Sequence, residues 1–295
     1  MFNGLGNQMS QYAFYLAKKK QNPKVKCIYF PSKYDDQHNG FELGKIFNIK
    51  INKDIRYYYC YFLYCLYLLK YEKGLKGKYI RKILKLLKVN VIYEDFKTYE
   101  FNPSYLLKRS GISYYYGGWH TEKYFCEIKD VIYKTLQFHI KENDYNVIQI
   151  QKEIKTKNSV SIHVRRGDYL NKGLKDIFGN VCNLDYYKKA LDYIHQHVEN
   201  PYFYIFSDDK QWIKENLNFP NSEIVDFNEG EDSWKDMYLM SQCKHNINAN
   251  STFSWWGAWL NKNPNKRVVV PEKFILSSEL IDIYPDNWIR IPVSN

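Results

Sequence analysis

Ser159–Tyr169 reads SVSIHVRRGDY. Val160, Ile162 and Val164 alternate with Ser161 and His163, the period-2 signature of a strand. The strand runs straight into Arg165, Arg166, Gly167 and Asp168, so two guanidiniums and a carboxylate sit at its carboxyl end. In open parallel α/β sheets, ligands occupy the crevice outside those ends. A guanidinium fork matches phosphate oxygens two at a time. The stretch therefore reads as a strand-end site for a phosphate-bearing ligand; the alternative is an exposed strand end solvated by two arginines.

Downstream the pattern becomes regular. Leu184–Val198 reads as a helix, and Pro201–Phe206 as a strand ending in Ser207, Asp208 and Asp209. Gln211–Leu217 and Asp232–Gln242 read as helices, with Glu223–Phe227 as the strand between them. His245–Ala249 reads as a strand ending in Asn250, Ser251 and Thr252, followed by a helix over Phe253–Leu260 and a strand over Arg267–Val270. Alternation of strands and helices predicts a doubly wound parallel sheet. Three polar clusters then fall on one sheet edge: His163/Arg165/Arg166/Asp168, Ser207/Asp208/Asp209 and Asn250/Ser251/Thr252. The third opens a helix, so its hydroxyls and backbone N–H groups can cap that helix and bind phosphate. Asp208 and Asp209 could instead hold a metal or accept from a guanine edge. Glu229, Glu231 and Asp232 form an acidic loop, and Trp255, Trp256 and Trp259 read as core at helical spacing.

Upstream, the chain opens MFNGLGNQMSQYAFYLAKKK, a glycine turn leading into a helix from Asn7. Val25–Phe30 reads as a strand, and Tyr34–Leu43 as a polar loop entering a short helix. Tyr57–Leu69 is a run of 13 aromatic and aliphatic residues, too short to span a bilayer. Ile80–Lys88 reads as a basic amphipathic helix with Ile80, Ile83, Leu84 and Leu87 on one face; it could lie on an anionic membrane or pack by that face. Tyr114–Trp119 reads as a strand and turn, His120–Leu136 as mostly helical, and lysine-rich Ile148–Asn158 as the domain junction.

With 295 residues, two domains are expected: 1–150 and 151–295. The six cysteines include no C-x-x-C pair, which argues against zinc and thioredoxin-type chemistry. Scattered cysteines without a signal peptide suit reduced thiols in a cytoplasmic protein. Residues 1–157 hold 28 Lys+Arg and 14 Asp+Glu, whereas 158–295 hold 15 and 18. The net charge of +11 thus belongs to the half without the arginine motif. That charge suggests a separate surface for anionic lipid, an acidic glycan carrier or nucleic acid. No RNP or KH signature supports nucleic acid, so none is expected as a partner.

The chain resembles the bacterial α-1,2-fucosyltransferases of glycosyltransferase family 11. The resemblance rests on GLGNQMSQYA (Gly4–Ala13), HNGFEL (His38–Leu43), HTEKYF (His120–Phe125), HVRRGDY (His163–Tyr169), FSDD (Phe206–Asp209) and NSTFSWWGAWL (Asn250–Leu260). It implies an α/β fold of GT-B type, two Rossmann-like domains facing a central cleft, with an N-terminal acceptor-side domain and a C-terminal GDP-fucose domain. It also implies inverting, metal-independent transfer of L-fucose from GDP-β-L-fucose to galactose O2 of a glycan acceptor, with no cofactor. Carried over by motif, Arg165 would hold the β-phosphate, with His163 and Arg166 in support. Asp208 would approach the guanine or ribose; Asn250, Ser251 and Thr252 would lie at the diphosphate, and Asn7 and Gln8 would face the cleft. Asp168 is the candidate base, or else it fixes the arginines by salt bridge. The family has a strand before the glycine turn; this chain begins almost inside the turn, so that strand is expected to be missing. Asn3 stands where a first glycine is usual, and Ser10 where an aromatic is usual. Other linkages, such as α-1,3, remain open, as does peripheral attachment to the inner face of the cell membrane.

Overall fold

The computed structural model describes residues 1–29, 39–69, 74–95, 98–109, 111–217, 219–276 and 282–293. The chain divides into two compact units, Met1–Ile132 and Tyr133–Asn295. The expected junction at 150/151 is thereby moved earlier. The lysine-rich segment forms a helix over Tyr145–Thr156, whose Val147, Ile150 and Ile154 are buried against Tyr204, Phe206, Leu239 and Met240 of the second unit.

The first unit carries helices α1 (Leu5–Gln21), α2 (Glu42–Phe47), α3 (Ile55–Leu69) and α4 (Leu75–Leu86). Strands β1 (Val89–Tyr93) and β2 (Ile112–Tyr116) pair in parallel. Two short 3-10 turns lead into α5 (Lys129–Thr135), within which the unit boundary falls. The strand expected over Val25–Phe30 is not formed at 25–29, where no neighbouring strand takes up the backbone groups; residue 30 and the loop through His38 lie outside the described residues. Among the described residues this unit has a two-stranded parallel sheet, and the doubly wound strand order is found in the second unit. The basic helix α4 buries Gly77, Ile80 and Leu84, while Ile83 and Leu87, expected on the same face, are exposed. Among the described residues no helix is long and apolar enough to cross a membrane.

The second unit begins with α6 (Tyr145–Thr156) and β3 (Asn158–Val164), then α7 (Leu184–His197), β4 (Pro201–Ser207), α8 (Lys210–Asn216) and β5 (Ser222–Val225). It continues with α9 (Trp234–Gln242), β6 (His245–Ile247), α10 (Thr252–Leu260), β7 (Val268–Pro271) and β8 (Ile289–Ile291). The last strand was not legible in the sequence. Its six strands are ordered β5-β4-β3-β6-β7-β8, and each neighbouring pair is parallel. Counted within the unit, this is the 3-2-1-4-5-6 order of the doubly wound sheet, whose direction reverses between β3 and β6.

Alternation along the strands builds both layers. Val160, Ile162, Phe203 and Ile205 pack with Tyr186, Tyr187, Ala190 and Ile194 of α7 and Ile213 of α8. Tyr204 and Phe206 point the other way, to α6 and α9. Each such side chain fully buried contributes roughly 1.5–3 kcal/mol. Trp255, Trp256 and Trp259 are buried on α10, as their spacing predicted, and Trp255 Nε1 donates to the Ile283 carbonyl at 2.7 Å.

Candidate active site

β3 and β6 are adjacent, with Ile162 opposite Ile247, so the two strands flanking the reversal deliver the RRGD and NST segments. β4 lies on the other side of β3, with Val164 opposite Ser207, and delivers Asp208 and Asp209. The structure thus brings together the three polar clusters read from the sequence.

Arg165 is held by two carboxylates. Its Nε lies 2.9 Å from Asp168 Oδ1 and one terminal nitrogen 3.2 Å from Asp208 Oδ2. Burial works against its charge, but Asp208 and Asp168 together outweigh it and hold the guanidinium above its ordinary pKa. Asp208 also accepts the backbone N–H groups of Arg166 (2.9 Å) and Gly167 (3.1 Å). A Cβ on Gly167 would stand 2.8 Å from Asp208 Oδ2, so glycine is what lets the turn close on the carboxylate. Asp208 is thereby engaged in shaping the RRG turn.

Arg166 is equally fixed. Its Nε pairs with Asp209 at 3.1 Å, and the guanidinium lies 4.5 Å above the Trp212 ring. Asp209 caps α8 by accepting Trp212 N–H at 3.0 Å, and its own N–H donates to Ser207 Oγ. Both aspartates are therefore tied up by arginines and backbone donors.

His163 is buried, with its ring 5.6 Å from that of Phe253 in the first turn of α10. Burial, reinforced by Arg165, pushes its pKa down to about 3, so the imidazole is neutral at physiological pH. Among the described residues its Nδ1 has no hydrogen-bond partner. Both side-chain polar atoms of buried Asn248 and Oδ1 of buried Asn250 are likewise unpartnered among the described residues. An unsatisfied buried polar group costs about 1–3 kcal/mol, and here several gather on the β3–β6 pair. Sequence reading passed over Asn248; its signal was a second asparagine two residues before Asn250 at a strand end.

Asn250 itself is structural on its donor side, giving hydrogen bonds to the Phe178 (3.2 Å) and Phe274 (2.9 Å) carbonyls. Its own carbonyl accepts from Tyr169 Oη at 3.0 Å, tying the RRGDY loop to the NST segment. Ser251 caps α10 by accepting Phe253 N–H at 3.3 Å, and Thr252 is half-buried in the first turn. A capped helix still presents its first N–H groups to an anion.

In the first unit the expected residues behave differently. Gln8 is fully buried; its Nε2 donates to the carbonyls of Asn3 and Gly40 at 2.7 Å each, and its Oε1 accepts from Glu42 N–H at 3.1 Å. It fastens α1 to the start of α2, and no polar atom is left for a substrate. Asn7 is half-buried on the first turn of α1. Sequence reading missed a second polar cluster: Glu94 Oε2 accepts the N–H groups of Gly118 and Trp119 at 2.7 Å each. Nearby, His120 Nδ1 lies 3.0 Å from Ser10 Oγ, so the serine found in place of an aromatic is a hydrogen-bond partner. Burial raises Glu94 to about 7 despite the two N–H donors, and lowers His120 to about 3.

Residues 65–292 match the family described as Glycosyl transferase family 11. The chain is 31% identical to an alpha-1,2-colitosyltransferase of Escherichia coli over 98% of its length and 96% of that protein's. It is 40% identical to the O-antigen biosynthesis glycosyltransferase WbnK of Escherichia coli over 52% of its length and 53% of that protein's. It is 31% identical to galactoside alpha-(1,2)-fucosyltransferase 1 of Saimiri boliviensis boliviensis over 43% of its length and 36% of that protein's.

Proposed function

Since the chain belongs to glycosyl transferase family 11, we propose that it transfers L-fucose from GDP-β-L-fucose to O2 of a galactose residue, with inversion, in building a surface glycan such as an O-antigen. The observation that carries the reading is Arg165 at the carboxyl end of β3, beside the sheet's reversal point and fixed by Asp168 and Asp208. Relatives with α-1,2 specificity and an O-antigen role support it. On this reading the two units are those of a GT-B enzyme: the second takes the nucleotide sugar and the first the acceptor.

The reaction breaks the bond between the sugar C1 and the β-phosphate oxygen while the acceptor hydroxyl oxygen bonds to C1 on the opposite face and gives up its proton, to the Asp168 carboxylate as candidate base or, where Asp168 serves only to hold Arg165, to water. Negative charge develops on the departing GDP. Arg165 and the N-terminal N–H groups of α10 are preorganised donors for that charge, which removes the need for a divalent metal. Asp168 and Asp208 act on Arg165 by holding its plane. Neutral His163 offers Nδ1 as a hydrogen-bond partner rather than a charge. Ser251 and Thr252 place the helix end at the diphosphate.

A second reading concerns the sugar: the relative spanning nearly the whole chain is a colitosyltransferase. The deciding experiment is turnover of GDP-fucose and of a colitosyl donor against a panel of galactosides, with linkage assigned by NMR. An α-1,2 product from GDP-fucose is expected. Equal binding of UDP and GDP, or a product of another linkage, would overturn the proposal. Activity is expected to survive EDTA; restoration by Mn²⁺ or Mg²⁺ after loss would move Asp208 and Asp209 into a metal role.

A further inference from the structure

We propose that the paired helices α3 and α4 of the first unit form a docking face for an anionic phospholipid surface. The inference is independent of the donor and acceptor assigned above.

Both helices have an inward apolar side. Tyr67 of α3 packs with Ile80 and Leu84 of α4 in one small core. Each helix also has a second apolar stripe that this core does not use. On α3, Ile55, Tyr58, Tyr59 and Phe62 are exposed at i, i+3, i+4 and i+7, Ile55 at 89%. On α4, Leu75 (71%), Tyr79 (64%), Ile83 and Leu86 (80%) are exposed. At 3.6 residues per turn these four fall within about 80° of one another, on a different side of the helix from Gly77, Ile80 and Leu84. A monomeric soluble surface scatters its exposed apolar residues singly; contiguous stripes mark an interaction face.

Charge selects the occupant. Neither Ile55–Leu69 nor Leu75–Lys88 contains an acidic residue. Lys78, Lys82 and Lys85 are exposed along the flank of the α4 stripe. A lysine-flanked apolar stripe with tyrosines suits the headgroup boundary: the aliphatic tips enter, the phenols sit at the polar level and the ammoniums meet lipid phosphates. A second copy of the chain would bring the same cations to a two-fold contact. A nucleic acid would have no use for Leu75, Ile83 and Leu86.

The test uses the full chain and two triple variants, Leu75→Ser/Tyr79→Ser/Leu86→Ser and Lys78→Glu/Lys82→Glu/Lys85→Glu, with folding checked by circular dichroism. Co-sedimentation is measured with phosphatidylcholine vesicles, with and without phosphatidylglycerol. The wild type should bind the phosphatidylglycerol vesicles and not the neutral ones. Each triple variant should bind at least about tenfold more weakly, since each charge and each buried apolar group contributes to partitioning. No binding by the wild type, or binding that neither variant weakens, would overturn the proposal. So would a defect confined to the charge variant with equal affinity for poly-U, which would mark a polyanion site. Concentration-dependent self-association abolished by the serine variant would assign the face to a second copy and overturn it equally.

Discussion

Each unit closes a glycine turn with a carboxylate, and the two carboxylates differ in what stands beside them. Asp208 accepts the N–H groups of Arg166 and Gly167 and also meets the Arg165 guanidinium. Glu94 accepts the N–H groups of Gly118 and Trp119, lies buried, and among the described residues meets no cation. The backbone chemistry is the same. The neighbouring charge makes one turn an anchored cation at a strand end, while burial leaves the other a carboxyl raised to about 7. A fixed positive charge at a sheet edge has a use in phosphate chemistry; a half-titrated buried acid is a strut. The comparison locates the charge-handling part of the molecule in the second unit, although most of the positive charge lies in the first half of the sequence.

The hardest way to break that comparison is to remove the cation. Arg165→Ala and Arg165→Lys should both lower kcat by ~10² or more, the scale of a lost transition-state donor. Lysine keeps the charge and loses the planar fork that Asp168 and Asp208 hold. Near-normal kcat in the lysine variant, with folding verified by circular dichroism, would remove Arg165 as the phosphate clamp and make Arg166 the residue to test.

Gln8 probes the other unit. Because it satisfies carbonyl and N–H partners on both sides, Gln8→Ala should destabilise the fold by about 2 kcal/mol while leaving GDP affinity unchanged. A variant with wild-type thermal stability and weakened substrate binding would return Gln8 to a substrate role.

Asp208→Asn tests the buttress itself. The single amide oxygen can keep one of the two turn N–H groups, which Asp208 accepts on separate oxygens, and the charge opposite Arg165 is lost, so kcat should fall by about tenfold with a smaller change in KM. An unchanged kcat would show that Asp168 alone fixes the guanidinium.

The smallest effect lies with Glu94. Its folded pKa of about 7 stands above its ordinary 4.5. Its contribution to stability is therefore fully present below the unfolded value and is lost as pH rises through the folded one. Glu94→Gln keeps an oxygen for the two N–H donors and cannot ionise. The difference in Tm, variant minus wild type, should grow in the variant's favour as pH is raised from about 5 to about 8. His120, held at about 3, gives a slope of opposite sign, lost as pH falls below 6.5, and cancels in that difference. A difference flat in pH would mean that Glu94 titrates near its ordinary value.

The second unit was legible because its signals are local. Period-2 runs such as SVSIHV and PYFYIF can bury both faces only inside a parallel sheet, and polar residues at each run's end announce an edge. Those signals gave nine of the elements within a residue or two of their observed limits: Asn158–Val164, Leu184–His197, Pro201–Ser207, Lys210–Asn216, Ser222–Val225, Trp234–Gln242, His245–Ile247, Thr252–Leu260 and Val268–Pro271. Strand order was not among them. That β6 lies beside β3, and the reversal point therefore between RRGD and NST, is a matter of non-local pairing that no window of sequence contains.

Residue types alone thus determined that guanidiniums, carboxylates and a capped helix would gather at one edge of a parallel sheet. Only the tertiary structure decided how they are used. Asp208 was available to any donor; the close approach at Gly167 turned it inward onto Arg165 and the backbone. Gln8, carried over by motif to the cleft, is buried among carbonyls from residues as distant as Gly40. Composition and spacing fix which groups are present and roughly which way they face. A buried polar group must find a partner wherever the fold brings one, and that partner's identity is written in contacts between segments far apart in the chain.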